Sequence, residues 1–168
     1  MPLFDQDISD WNVVNGIHFQ GMFQGAEAFS CDLSGWNMHN ATDTSHMFQR
    51  AQSFRSDLSR WNVQSVTDMR FMFDGATMFD SDLSRWDLSS IQEGRLTGML
   101  CGTLSFRQDV SSWLSWNMTV ESKFQRVFGD TLQDISSNHP RWTKALEEEY
   151  RSVHGSKREL DISECKLS

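Results

Sequence analysis

The chain of 168 residues is poor in the residues that announce a mechanism. Its three cysteines, Cys31, Cys101 and Cys165, are odd in number and show no C-x-x-C spacing, so neither a disulfide framework nor a zinc knuckle is expected. No run approaches the roughly 18 apolar residues that suggest a membrane span. The opening Met-Pro-Leu-Phe-Asp-Gln-Asp has no basic and apolar regions of a signal peptide, which favours an intracellular or organellar assembly over an extracellular surface. Basic residues are the minority: 15 Lys and Arg face 23 Asp and Glu, a formal charge of -8 that argues against nucleic acid as a partner. The histidines His18, His39, His46, His139 and His154 share no H-x-x-x-H or H-E-x-x-H spacing, and no G-x-S-x-G elbow or Gly-rich phosphate loop is present. Cys101, beside glycines, reads as a small apolar filler rather than a reactive thiol. No catalytic residue, metal or cofactor is therefore assigned.

What the chain does have is twelve Phe, nine Met and seven Trp within an apolar content of only 38%. Laying the sequence against itself gives the cause, a repeat of 25 residues. Its anchor is an Asp, an aliphatic residue and a Ser, beginning at Asp7, Asp32, Asp57, Asp82, Asp109, Asp134 and Asp161. Trp11, Trp36, Trp61, Trp86 and Trp113 follow four residues after the Asp, and Phe4, Phe29, Phe54, Phe79 and Phe106 precede it by three. The expected core is Trp11, Trp36, Trp61, Trp86, Phe29, Phe54 and Phe79. The Asp residues are expected to form a structural ladder of turns, because a carboxylate accepts from backbone N–H groups two residues on. A calcium reading is disfavoured, since each unit offers one Asp and one Ser where calcium takes six to eight oxygens.

In the cleanest copy, Leu58, Trp61, Val63 and Val66 have leucine-rich-repeat spacing, which predicts a short strand at Trp-Asn-Val. Thr67 then offers an N-cap, and Met69, Met72, Phe73 and Ala76 lie at i, i+3, i+4 and i+7, predicting a short helix or 3-10 segment stopped by Gly75. The expected fold is an α/β repeat solenoid, leucine-rich-repeat-like, with a C-terminal capping helix. Residues 4–128 read as tandem repeats, about five coils that become irregular after residue 90. Residues 129–168 read as degenerate repeats with a helix at about 140–154 and a C-terminal strand. The fourth unit carries two extra residues within Gln92–Gly102, where three glycines predict a bulged loop.

The motif F-x-x-D-[LIV]-S-x-W-[ND]-[VLM], with a downstream M-F-x-x-A-x-x-F, resembles the BspA-type bacterial surface-protein repeat. The resemblance implies a leucine-rich-repeat-like solenoid used for binding or adhesion, with no enzymatic activity attached to the repeat.

Candidate contact residues lie around the strand position, on the side that is concave in leucine-rich-repeat solenoids. They are Asp10, Asn12, Asn37, His39, Arg60, Asn62, Gln64, Arg85 and Asp87. The column of Asn12, Asn37, Asn62, Asp87 and Asn117 has two readings, hydrogen bonding along the stack or binding. The expected function is a non-catalytic protein-binding module, a structural or accessory subunit of a larger assembly, with cell-surface adhesion as the alternative. Its expected partners are other proteins, a membrane complex among the candidates, and the apolar first coil is expected to be covered either by one of them or by a further segment of the chain.

Overall fold

Each unit closes on itself through four-residue turns, seen here in a computed structural model that describes residues 2–92, 94–110, 112, 113 and 127. The helix expected at 140–154, the C-terminal strand, Asn117, Asp134 and Asp161 lie outside these residues. In the third unit the backbone N–H groups of Trp61, Val66, Met72, Asp74, Ala76 and Phe79 each donate to the carbonyl three residues back. The expected strand at Trp61–Val63 is instead an irregular stretch between turns at 59–60 and 64–65. Among the described residues, regular structure is confined to the isolated parallel bridges His18–Asp43 and Asp43–Asp68, a 3-10 turn at 112–113 and the helical Val127.

The predicted helix is likewise replaced, and the reason is visible in where alternate N–H groups go. Met69, Phe71, Phe73 and Gly75 donate sideways to the carbonyls of Arg95, Thr97, Met99 and Cys101, while Met72, Asp74 and Ala76 donate within the unit. The unit before repeats this: Thr44, His46, Phe48 and Arg50 donate to Asp68, Arg70, Met72 and Asp74. A helix would direct every N–H along its own axis. Here half of them join neighbouring units, and Phe71 at φ 54° and Gly75 at φ 70° supply the left-handed residues that the alternation needs. Thr67 does not cap a helix; both its N–H and its hydroxyl donate to the Thr42 carbonyl of the preceding unit.

Burial nevertheless follows the predicted face, for Met69, Met72, Phe73 and Ala76 are all 0% exposed. Stacking the units aligns two ladders of rings. Phe4, Phe29, Phe54, Phe79 and Phe106 follow one another at centroid distances of 5.6, 5.9, 6.0 and 6.2 Å. Phe23, Phe48 and Phe73 form the second ladder at 5.5 and 5.6 Å. The ladders touch within each unit, with Phe48 and Phe54 4.0 Å apart and nearly parallel.

Trp36, Trp61, Trp86 and Trp113 are buried, and each indole N–H donates to a carbonyl of the preceding unit, that of Ile8, Leu33, Leu58 and Leu83 in turn. Trp11, predicted to be core, is 53% exposed. The buried tryptophans pack on the unit before them, as Trp36 does on Phe19 and Phe23 while donating to the Ile8 carbonyl, and among the described residues Trp11 makes no contact of this kind.

The tryptophan side of the unit is joined to its neighbours by side chains rather than by a backbone ladder. Besides the indoles, the Ser56 hydroxyl accepts from the buried Leu33 N–H at 2.8 Å and donates to Asp32 at 3.0 Å. Ser81 does the same for Leu58 and Asp57. Cys31 stands in this column one unit earlier, its Sγ accepting from the Ile8 N–H at 3.3 Å. Ser56→Ala leaves the Leu33 N–H without an acceptor and is expected to cost about 1 kcal/mol. The check is a lowered urea midpoint at unchanged slope, with exposed Ser65→Ala as the neutral control.

The two extra residues of the fourth unit fall between Gln92 and Arg95, not across the whole glycine-rich stretch. Gln92 donates to Thr67, 25 residues back, just as Thr67 donates to Thr42, whereas Met69 donates to Arg95, 26 residues on, where Thr44 in the unit before donates to Asp68, only 24 on; that offset of two continues to Cys101. The predicted bulged loop is thus a local insertion. Gly98 and Gly102 beyond it keep the left-handed conformation, with φ 65° at both.

Candidate functional site

The residue before each Trp forms the exposed column Asp10, Gly35, Arg60 and Arg85, and the residue after it forms Asn12, Asn37, Asn62 and Asp87. Two positions further lie His39 and Gln64. All nine predicted contact residues are exposed. No strand carries them among the described residues, and the face is a set of turns and irregular stretches held in register by the buried indoles.

At its described positions the Asn column hydrogen-bonds within its own units. The Oδ1 atoms of Asn12, Asn37 and Asn62 accept from the backbone N–H of Val14, His39 and Gln64, at 3.2, 3.2 and 3.1 Å, within their own units. Asp87 does the same for Ser89 at 2.9 Å, and hydrogen bonds from Ser89 hold its carboxyl below the usual carboxylate range. These Asn side chains cap turns and remain exposed.

The Asp ladder behaves as a turn ladder where it is described. Oδ1 of Asp7, Asp32, Asp57 and Asp82 accepts from the N–H of Ser9, Ser34, Ser59 and Ser84 at 2.9 to 3.0 Å. Bonds from Ser9, Ser34 and Ser59 lower the pKa of Asp7, Asp32 and Asp57. Asp109 is exposed in the fifth unit. Among the described residues, no three His, Cys, Asp or Glu side chains gather as a metal would require.

Three features escaped the sequence reading. The first is the hydroxyl column, whose signal was the small polar residue immediately before the Asp: Cys31, Ser56 and Ser81. The second is Asp68, 7% exposed, which accepts from Arg70 Nη2 at 2.8 Å and from Arg95 Nη1 of the next unit at 2.7 Å. Burial pushes the Asp68 carboxyl up, but the hydrogen bonds of Arg70 and the charges of Arg70 and Arg95 outweigh it and hold the pKa down. This pairing had no sequence signal, because the insertion before Arg95 hides which residue stands beside Asp68. The third is an open cleft of about 620 Å³ between the second and third units, lined by Ser30, Asp32, Ser34, Gly35, Arg55, Ser56, Asp57 and Arg60.

A family model described as Mycoplasma protein of unknown function, DUF285, matches residues 1–73 and 32–142 of the chain. No curated protein and no solved structure matches it.

Proposed function

The chain belongs to this Mycoplasma family, and we propose that it is a non-catalytic protein-binding module, a structural or accessory subunit of a larger assembly whose units form a solenoid. One observation carries the reading. The exposed columns on either side of the tryptophans rest on turns already closed by their own side chains, as in Asn37 to His39 and Asn62 to Gln64. A face ordered during folding loses little further entropy on binding, which is the condition for affinity from a modest surface. Its charge is directional, since the column runs from Asp10 through Gly35 to Arg60 and Arg85. An acidic patch on the partner fits the Arg60 and Arg85 end.

The test is the double reversal Arg60→Glu with Arg85→Glu in the full chain, measured against the partner that co-purifies from native cells. The expected result is a loss of affinity of about tenfold or more at an unchanged melting temperature. Gln52→Lys, at an exposed position distant in the repeat, retains the partner. Wild-type affinity in the double variant overturns the reading. The resemblance to bacterial surface repeats supports a second reading, a surface adhesion module. Labelling of the protein on intact cells by a membrane-impermeant reagent separates the two.

A further inference from the structure

We propose that the cleft between the second and third units is a docking notch for a polypeptide segment that inserts an acidic side chain between Arg55 and Arg60. The proposal deepens the binding-face reading and rests on it. Gly35 opens the notch. The column that holds Asp10, Arg60 and Arg85 has no side chain at this one described unit. Neither backbone nor packing requires glycine there: Gly35 is not among the left-handed residues, and a Cβ built on it meets nothing within 4 Å. An exposed glycine without a conformational reason raises the entropy cost of folding, and what it supplies in return is space. The cleft of about 620 Å³ is open and lined by serines, aspartates and arginines, so an occupant is held by hydrogen bonds and charge rather than by apolar burial.

The chemistry of the walls selects the occupant. Arg55 is exposed and steadied by its Nη2 contact with Met78 Sδ at 3.2 Å. Arg60 lines the same cleft from the other end of the Asp57 turn. Asp32 and Asp57 engage Oδ1 in their turns and with Ser56 and Ser81, which leaves Oδ2 of each as an open acceptor. Two guanidinium groups and two carboxylates cancel in charge, so a simple anion gains little net attraction. A ligand that fits presents a carboxylate to the arginines, where paired N–H groups match its two oxygens, and donors to the Asp oxygens. A peptide does both, through a Glu or Asp side chain and the neighbouring N–H and hydroxyl groups. An acidic sugar offers similar groups. The peptide is favoured because the notch opens onto the exposed Arg60 and Arg85 column, so that a chain leaving it continues along the face.

The experiment titrates the ¹⁵N-labelled full chain with the blocked peptide Ac-Gly-Ser-Glu-Ser-Gly-NH₂, its Gln counterpart and glucuronate. The expected result is a shift of the Ser34, Gly35, Ser56 and Ser59 amides with the Glu peptide, at least tenfold weaker with the Gln peptide. Arg55→Gln and Arg60→Gln each weaken it comparably. Gly35→Arg fills the notch and abolishes the shifts at an unchanged melting temperature, while Gly35→Ala retains them. Absence of shifts with the Glu peptide, or stronger shifts with glucuronate, overturns the proposal. Binding of the native partner separates it from its premise. If Gly35→Arg keeps that partner while the Arg60 and Arg85 reversal loses it, the notch fails and the face stands. If the reversal keeps it, the face fails.

Discussion

Phe54→Ala is expected to lose about 3–5 kcal/mol of stability, the range for removing a fully buried ring. Phe54 is 0% exposed and stands where the two ladders meet, 4.0 Å from Phe48 in its own unit and 5.9 and 6.0 Å from Phe29 and Phe79 in the units on either side. In a stack each unit is stabilised only by its neighbours, so the cavity removes contacts on both sides at once. Against a whole-domain stability of about 5–15 kcal/mol, the variant unfolds at a much lower urea concentration, or in two steps if the halves separate. Trp11→Ala is the matched comparison, a ring deletion at a site 53% exposed, with an expected cost below about 1 kcal/mol. Equal losses in the two variants would show that the ladder is not the stabilising element.

Asp68→Ala is expected to cost about 2–3 kcal/mol at neutral pH, the scale of a set of hydrogen bonds to a charged group. The carboxylate joins Arg70 of its own unit to Arg95 of the next, at 2.8 and 2.7 Å, and also accepts from the Arg70 backbone N–H at 3.1 Å. The loss stays modest because both guanidinium groups are about 40% exposed and regain water when the carboxylate goes. The pH dependence identifies the group. Its folded pKa lies below the ordinary 3.8, so the stabilisation is complete above that value and is lost as the pH falls through the folded pKa. The gap between wild type and Asp68→Ala in urea unfolding is therefore full at pH 7 and closes below about pH 3.8. A gap that stays constant down to pH 2 would mean that the ion pairs contribute nothing.

The inward faces were legible in the sequence. Leu58, Trp61, Val63, Val66, Met69, Met72, Phe73, Ala76 and Phe79 were picked out by spacing, and all are buried. Spacing reports which side chains leave water, and burial of apolar area is the largest favourable term in folding. It did not report the backbone. A face at i, i+3, i+4 and i+7 is compatible with a helix, and also with a run of turns that lends half of its N–H groups to the next unit. The signals of that second solution were present but scattered, since Gly21 and Gly98 share their column with His46 and Phe71, all four at positive φ. A column that holds glycine in some units and His or Phe in others does not announce a left-handed conformation.

The candidate face was legible as a list of exposed positions and not as geometry. The spacing of Asn37 and Asn62 is compatible with bonding along the stack or with binding, and the structure adds a cap on their own turn. The cleft at Gly35 depends on Arg55 and Arg60 of the following unit, 20 and 25 residues away along the chain. No local pattern joins them.

By itself the sequence determined the period of 25, the ring that each unit contributes to each column, and the Asp turn between Phe and Trp. These depend on residue type and short spacing, and each unit carries them alone. Only the tertiary structure decided which N–H groups close turns and which cross to a neighbour, that Trp11 lies in water while Trp36 does not, and that Asp68 meets Arg95. Those outcomes belong to pairs of units. A backbone donor has an acceptor in its own turn and another in the adjacent unit, and the choice between them exists only once the two are stacked.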